Sequence, residues 1–141
     1  MKKNIIMIFS SSDKAYGSLM GNAYLENHQL KGNYPYDVSK SASDLIVQSY
    51  VKTYNLKAGI IRSGNIYGPG DLNMDRLVPH VIISSLLKKR SILRSNGKLI
   101  RDYIYVEDVA NAYFILMKEM INSKERLKIY NVGSKENLTV K

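Results

Sequence analysis

The 141-residue sequence predicts an α/β fold built on a parallel sheet. Short β-branched runs, NIIMIF at 4–9 and KAGIIRS at 57–63, alternate with longer stretches of helical period. Those stretches are long enough to carry the crossover between parallel neighbours. Glycine- and proline-bearing segments separate them.

Residues 4–9 are too apolar for a surface loop and read as a buried strand. Residues 18–35 are polar, hold Gly21, Gly32 and Pro35, and read as a loop. From Tyr36 the pattern turns helical, with Ala42, Leu45, Ile46, Ser49, Tyr50 and Tyr54 on one face at steps of three and four. Residues 57–63 form the next strand, and GNIYGPGD reads as a loop by its glycines and proline. A second helix covers roughly 75–90, followed by strand-like pieces at 91–95 and 102–106 around an Asn96–Gly97 turn signal. VEDVANAYFILMKEM is an amphipathic helix that turns Val109, Ala112, Tyr113, Leu116 and Met120 inward, and KIYNVGS is a last short strand. Neither a repeat nor a low-complexity segment occurs, and no G-x-G-x-x-G or G-x-x-G-x-x-G is present.

The length suits one domain, able to bury roughly 70% of its unfolded surface. The absence of cysteine excludes disulfides, thiolate metal sites and cysteine nucleophiles. The start MKKNIIMIF has an apolar run of only five residues, Ile5 to Phe9, where a secretory signal needs about 7–15. No run approaches the ~20 residues of a membrane span. The expectation is a soluble, cytoplasmic chain with no membrane partner. Twenty-one basic against 12 acidic residues give +9, and seven basic residues with no acid lie between Arg76 and Arg101. Such a field attracts phosphates, although Lys88, Lys89 and Arg90 read equally well as solvated cations at a helix end. The run lacks the aromatic pattern of a nucleic-acid surface, so no nucleic acid is expected. His28 and His80 are isolated, without ligand spacing, and no metal is expected.

Chemistry concentrates at two places. SSSDKAYG, residues 10–17, follows the first strand and sets a serine, an acid and a base side by side. YDVSK puts Tyr36 and Lys40 one helical turn apart. A phenol needs about 4 kcal/mol to ionise near pH 7, and an ammonium at ~4 Å in an effective dielectric of ~20 supplies about that much. Such a tyrosinate can take a hydroxyl proton while hydride leaves the same carbon. Alone, the pair is a pattern that chance produces in a chain with 11 tyrosines. Its weight comes from Pro35 at the helix entrance and from the serine–acid–base cluster at a strand end.

SSSDKAYG, YPYDVSKSASDL, IIRSGNIYGPGD and IRDYIYVEDVANAY, in that order, resemble the motifs of the extended short-chain dehydrogenase/reductase family. Within that family of NAD-dependent epimerases and dehydratases, the chain is most similar to the sugar-nucleotide 4,6-dehydratases, and among them to the CDP-glucose branch. The resemblance implies a Rossmann-like fold, here its C-terminal part with some of the small substrate lobe. Residues 1–70 would be the second half of the Rossmann domain, and 71–141 a partial substrate lobe with returning sheet elements. The half that carries the cofactor fingerprint would be absent, leaving the isolated chain a poor binder of NAD.

The resemblance also implies roles. Ser12 would hydrogen-bond the sugar hydroxyl under oxidation. Tyr36, helped by Lys40, would take its proton and contact the cofactor, NAD with NADP as the alternative. Lys14 would be the base at C5 and Asp13 the acid for water leaving C6. Many family dehydratases carry Glu where this chain has Lys14. Epimerases of the family need only the serine, tyrosine and lysine, so the Asp13–Lys14 pair favours elimination. Asn65, Arg76, Leu77 and Arg101 fall where the family lines its nucleotide-diphosphate sugar. A nucleotide-sugar epimerase, a remnant completed by another polypeptide and a basic phosphate-binding module are the alternatives. A homo-oligomer or a complementary fragment is the expected protein partner.

Overall fold

A computed structural model describes residues 5–18, 23–93, 95–98, 100–134 and 138–140. Its centre is a parallel sheet of β1 (Ile6–Ser12), β2 (Lys57–Ser63) and β6 (Leu127–Val132), with β2 in the middle. Parallel neighbours need crossovers, which α1 (Pro35–Tyr54) and α3 (Val106–Asn122) supply. Alternate residues of β2 face opposite ways. Ala58 and Ile60 pack on Val47 and Val51 of α1, while Ile61 packs on Leu116 and Met120 of α3. The parallel α/β fold expected from the alternation of elements is therefore the observed one, and the strands at 4–9 and 57–63 are indeed parallel neighbours.

The strand ends matter most for function. Ser12 pairs in register with Ser63, so β1 and β2 reach one edge of the sheet together. There the chain turns into a short 3-10 helix, Asp13–Tyr16, which the sequence reading did not foresee. Beside the main sheet, β3 (Asn65–Tyr67) pairs in parallel with β5 (Tyr103–Tyr105), and β4 (Ile100–Arg101) pairs antiparallel with β7 (Leu138–Thr139). Helix α2 (Leu77–Leu86) lies between them in sequence.

Several expectations need correction. The first strand runs from Ile6 to Ser12 and is only partly buried: Met7 is 41% accessible, whereas Ser11 and Ser12 are buried. Asn4 lies outside the described residues. Residues 65–67 are a strand rather than loop, because Asn65 and Tyr67 find partners on β5. Residues 91–93 and 95 are not strand; the Ile92 N–H goes to the His80 ring instead of to a ladder. Arg94 lies outside the described residues. The second helix is shorter than 75–90, and Lys88 beyond it adopts a left-handed φ of 52°.

The face assigned to α1 is also wrong. Leu45, Ile46, Tyr50 and Tyr54 are exposed, and the buried stripe is Ser41, Asp44, Val47 and Val51. The reason is electrostatic. Asp44 is fully buried because Arg62 of β2, itself buried, forms a bidentate pair with it at 2.9 Å through Nε and Nη2. Helix α3, with no such ion pair, buries Val109, Leu116 and Met120 and half-buries Ala112 and Tyr113, as its apolar stripe predicts.

Burial is the largest single influence and pushes the Asp44 carboxyl up. The hydrogen bonds and charge of Arg62, with contributions from Ser11 and Gln48, together hold the group below its usual value near 3.8. A depressed carboxyl stabilises the fold fully above its unfolded value, and that contribution is lost as pH falls through the folded value. Acid unfolding of the chain should therefore steepen below about pH 3.8. Asp44→Asn, which strands the buried guanidinium, should cost about 3–5 kcal/mol in urea unfolding at pH 7 and flatten that acid limb. A neutral variant as stable as the parent would show that the pair does not hold α1 to the sheet.

Candidate active site

The carboxyl ends of β1 and β2, the start of α1 and the β3–β5 pair enclose a cleft of about 670 Å³. Ser12, Asp13, Lys14, Tyr36, Lys40, Asn65, Arg76, Leu77 and Arg101 all line it. Residues far apart in sequence thus share one cavity at the sheet edge, where open α/β sheets bind ligands.

On one wall the last strand residue caps the 3-10 turn: Lys14 N–H donates to Ser12 Oγ at 3.3 Å. The Ser12 hydroxyl donates to Asp13 Oδ1 at 3.1 Å, and the Lys14 ammonium pairs with Asp13 Oδ2 at 2.8 Å. Ser12, Asp13 and Lys14 are therefore one hydrogen-bonded string with Asp13 in its middle. Ser12 is buried, while half-buried Asp13 and Lys14 can exchange protons with a ligand in the cleft.

On the other wall α1 begins at Pro35, whose missing N–H costs nothing in a first helical turn. Tyr36 follows with its ring more than half exposed. The Lys40 ammonium lies 5.8 Å from the centre of that ring and donates to the Ser10 carbonyl at 3.1 Å. This bond ties the tyrosine's helix to β1, two residues before Ser12.

The far end is set by Asp102. Its carbonyl accepts both the backbone and side-chain N–H of Asn65, at 2.8 and 3.2 Å. Its carboxylate accepts the N–H and hydroxyl of Ser134, each at 2.8 Å. A side chain at Gly133 would collide with that carboxylate. Arg101, next in sequence, borders both the main cleft and a second cavity of about 250 Å³ lined by His80, Ile92 and Tyr103. Leu77 borders both as well. Arg76 is exposed and pairs with Asp71 at 3.2 Å.

The sequence reading missed Asp71 and Asp102. Both sit inside quoted motifs, in GPGD and in IRD, but their contacts, Arg76 for Asp71 and Asn65 and Ser134 for Asp102, are made only in the fold. They change the electrostatics. Asp13, Asp37, Asp71 and Asp75 line the cleft together with Lys14, Lys40, Arg76 and Arg101, so it is of mixed sign rather than uniformly basic. Lys88, Lys89 and Arg90, the densest part of the basic run, are exposed and outside it.

A sequence profile of the NAD dependent epimerase/dehydratase family matches residues 1–133. The dTDP-glucose 4,6-dehydratase of Haemophilus influenzae is 34% identical over 136 residues, which cover 92% of this chain and 38% of that protein. A trifunctional UDP-glucose 4,6-dehydratase/3,5-epimerase/reductase of Arabidopsis thaliana is 30% identical over 91% of this chain and 19% of its own length. In three dimensions, dTDP-glucose 4,6-dehydratase from Bacillus anthracis in complex with NAD superposes with a TM-score of 0.82. It is 30% identical over 94% of this chain and 41% of its own. The chain spans less than half the length of each of these relatives.

Gly133→Ala should push the Asp102 carboxylate off Ser134 and cost about 1–3 kcal/mol, read by thermal unfolding. The Asn65 side-chain amide signals should shift with it in heteronuclear NMR spectra. Unmoved signals would mean that Asp102 does not hold Asn65 through this contact.

Proposed function

The chain belongs to the NAD-dependent epimerase/dehydratase family, and from that premise we propose that it carries the proton-transfer and substrate-side groups of a sugar-nucleotide 4,6-dehydratase. The observation that carries this reading is the Asp13–Lys14 contact of 2.8 Å, adjoining Ser12 and lining the same cleft as Tyr36 and Lys40. An epimerase has no use for the acid–base pair; an elimination needs one group of each kind.

The residues present fit the nicotinamide-ribose end of the cofactor. Tyr36 is accessible from the cleft, and Lys40 gives one of its three N–H donors to Ser10, keeping donors for a ribose hydroxyl. Bound NAD supplies the acceptor for hydride from C4 and the donor that returns it to C6. The remaining steps belong to the chain. Tyr36, with the Lys40 cation beside its ring, takes the proton of the C4 hydroxyl while Ser12 orients that oxygen. The resulting C4 ketone acidifies the C5 hydrogen, which Lys14 removes as a proton. The electron pair forms the C5–C6 double bond, and the C6 oxygen leaves with the Asp13 proton as water.

Proton balance gives the ion pair a meaning. The working form has the proton on Asp13 and a neutral Lys14 amine. Elimination moves one proton from Asp13 to the departing water and one from C5 to Lys14, whose Nζ stands 2.8 Å from Asp13 Oδ2. When hydride returns to C6, the C5 carbon takes its proton back from Lys14, and the proton that Tyr36 took from the C4 hydroxyl replaces, through water, the one Asp13 lost.

Arg101 divides the ligand. A diphosphate at its guanidinium would put the sugar in the larger cleft and the nucleoside in the smaller cavity. Asn65, Arg76 and Leu77 flank it. In this reading residues 1–70 hold the proton chemistry, and 71–141 hold the phosphate side together with the elements that return to the sheet. Lys14 carries the likeness to the CDP-glucose branch, while the relatives named above act on dTDP-glucose and UDP-glucose. CDP-glucose is therefore the first substrate to compare with those two. The exposed stripe Leu45, Ile46, Tyr50 and Tyr54 on α1 supports a protein partner, either a second copy or a complementary fragment.

The test uses the chain joined to a glycine-rich dinucleotide-binding half, with NAD and each nucleotide sugar. Tyr36→Phe should lower oxidation at C4 by about 10²–10⁴-fold. Asp13→Asn should spare oxidation and C5 hydrogen exchange and slow water loss by a similar factor. If loss of the 6-hydroxyl proceeds normally without Asp13, the acid assignment fails. If no nucleotide sugar is oxidised, the dehydratase reading fails. Separately, Ile46→Glu should shift the chain toward lower sedimentation coefficients; an unchanged profile would remove α1 as a contact surface.

A further inference from the structure

Behind the cleft lies a polar cluster that touches none of the space a ligand would occupy. Arg62 is its centre. Nε and Nη2 grip Asp44 of α1, while Nη1 donates to the Tyr16 hydroxyl at 2.8 Å and to the Glu26 carbonyl at 2.9 Å. The Tyr16 hydroxyl in turn donates to Asn131 Oδ1 of β6 at 2.7 Å. Its ring stacks on Tyr24 at 4.8 Å, with the guanidinium carbon 4.9 Å from its centre. Neither Arg62, Asp44 nor Tyr16 lines the cleft.

What the cluster joins is more telling than its stability. Asp44 lies one helical turn after Lys40, on the helix that carries Tyr36. Tyr16 ends the 3-10 turn that begins with Asp13 and Lys14. The Arg62 fork therefore holds one wall of the cleft by Asp44 and the other by Tyr16. A second bond reinforces the same span: the Ser41 hydroxyl of α1 donates to the Ala15 carbonyl at 2.7 Å.

We propose that Arg62, acting through Asp44 and Tyr16, is a positioning residue. It fixes the distance between the Tyr36–Lys40 pair and the Asp13–Lys14 pair. One sugar ring must present C4 to the first pair and C5 and C6 to the second in a single bound pose, and a small misplacement of either wall is costly to such chemistry. A planar guanidinium can set two walls at once because its donors point in fixed directions; a lysine at the same place offers a point charge and no fork. The catalytic consequence rests on the dehydratase reading, while the spacing itself does not.

Tyr16→Phe is the decisive variant, since it removes one neutral hydroxyl and keeps the stacked ring. In the full chain, the rates at which an acylating ester labels Lys14 and Lys40 are read by mass spectrometry beside the unfolding midpoint. With Arg62 no longer joined to the turn, Lys14 should label several-fold faster while Lys40 keeps its rate. Arg62→Lys, where it folds, should change both. Unchanged Lys14 labelling in a folded Tyr16→Phe chain overturns the proposal. In the completed enzyme, Tyr16→Phe should lower water loss more than oxidation, so that 4-keto sugar still bearing its 6-hydroxyl accumulates. Equal loss of both steps marks a merely structural role and overturns the catalytic part. A parent enzyme inert toward every nucleotide sugar defeats the dehydratase reading, and the labelling rates then decide the spacing claim alone.

Discussion

A guanidinium taken out of water must find partners for its donors inside the protein, and this requirement organises the molecule. Arg62 is buried on the central strand, where the only way to avoid a heavy desolvation penalty is a set of acceptors arranged around it. One acceptor comes from the crossover helix, one from the turn after β1, and one from the segment at Glu26. The protein thus has an ionic centre where a sheet of this kind would ordinarily have an aliphatic one. The apolar clusters on the two faces of β2 sit around it: Val47 and Val51 on one side, Leu116 and Met120 on the other. Neither cluster alone specifies how far α1 should slide along the sheet. A bidentate pair with fixed geometry does.

The cleft inherits its shape from that arrangement and its polarity from a second one. Asp102 holds Asn65 with its carbonyl and Ser134 with its carboxylate, drawing the start of β3 and the exit of β6 onto one residue. Gly64 and Gly133 permit the close approach. The result is a cavity lined by both acids and bases, several of them paired with each other. Nearly every charged side chain that could act on a ligand already has a counter-charge or a carbonyl beside it: Lys14 with Asp13, Lys40 with Ser10, Arg76 with Asp71. An incoming anionic ligand exchanges one set of paired interactions for another, which favours discrimination over indiscriminate attraction.

Much of this was legible in the sequence, and the failures share one cause. The alternation of elements, the parallel sheet and the inward face of α3 follow from local apolar periodicity. Periodicity also located the Tyr36 helix but chose its wrong stripe, because the partner that makes Asp44 burial tolerable stands 18 residues away on another element. The two-residue strands β4 and β7 are too short to leave a pattern. Ile92 and Leu93 look like strand, yet the acceptor for the Ile92 N–H is an imidazole 12 residues earlier. The proposed site residues Ser12 to Lys14, Tyr36 and Lys40 stand out by spacing and by their place at a strand end, and their roles follow from the family resemblance. Asp102 does not stand out, since its importance comes from Asn65 and Ser134, which only the folded topology brings to it.

The hydrogen bond between Tyr16 and Asn131 closes a loop of 115 residues. Contacts of such separation form late and slowly, because chain closure must precede any reward. Strand β2 and its guanidinium are synthesised long before β6 exists to complete the ring around Tyr16. Until β6 joins, Arg62 can hold Asp44, but the Tyr16 hydroxyl lacks its Asn131 acceptor. The turn after β1 is thus set by an element that the ribosome delivers 115 residues later.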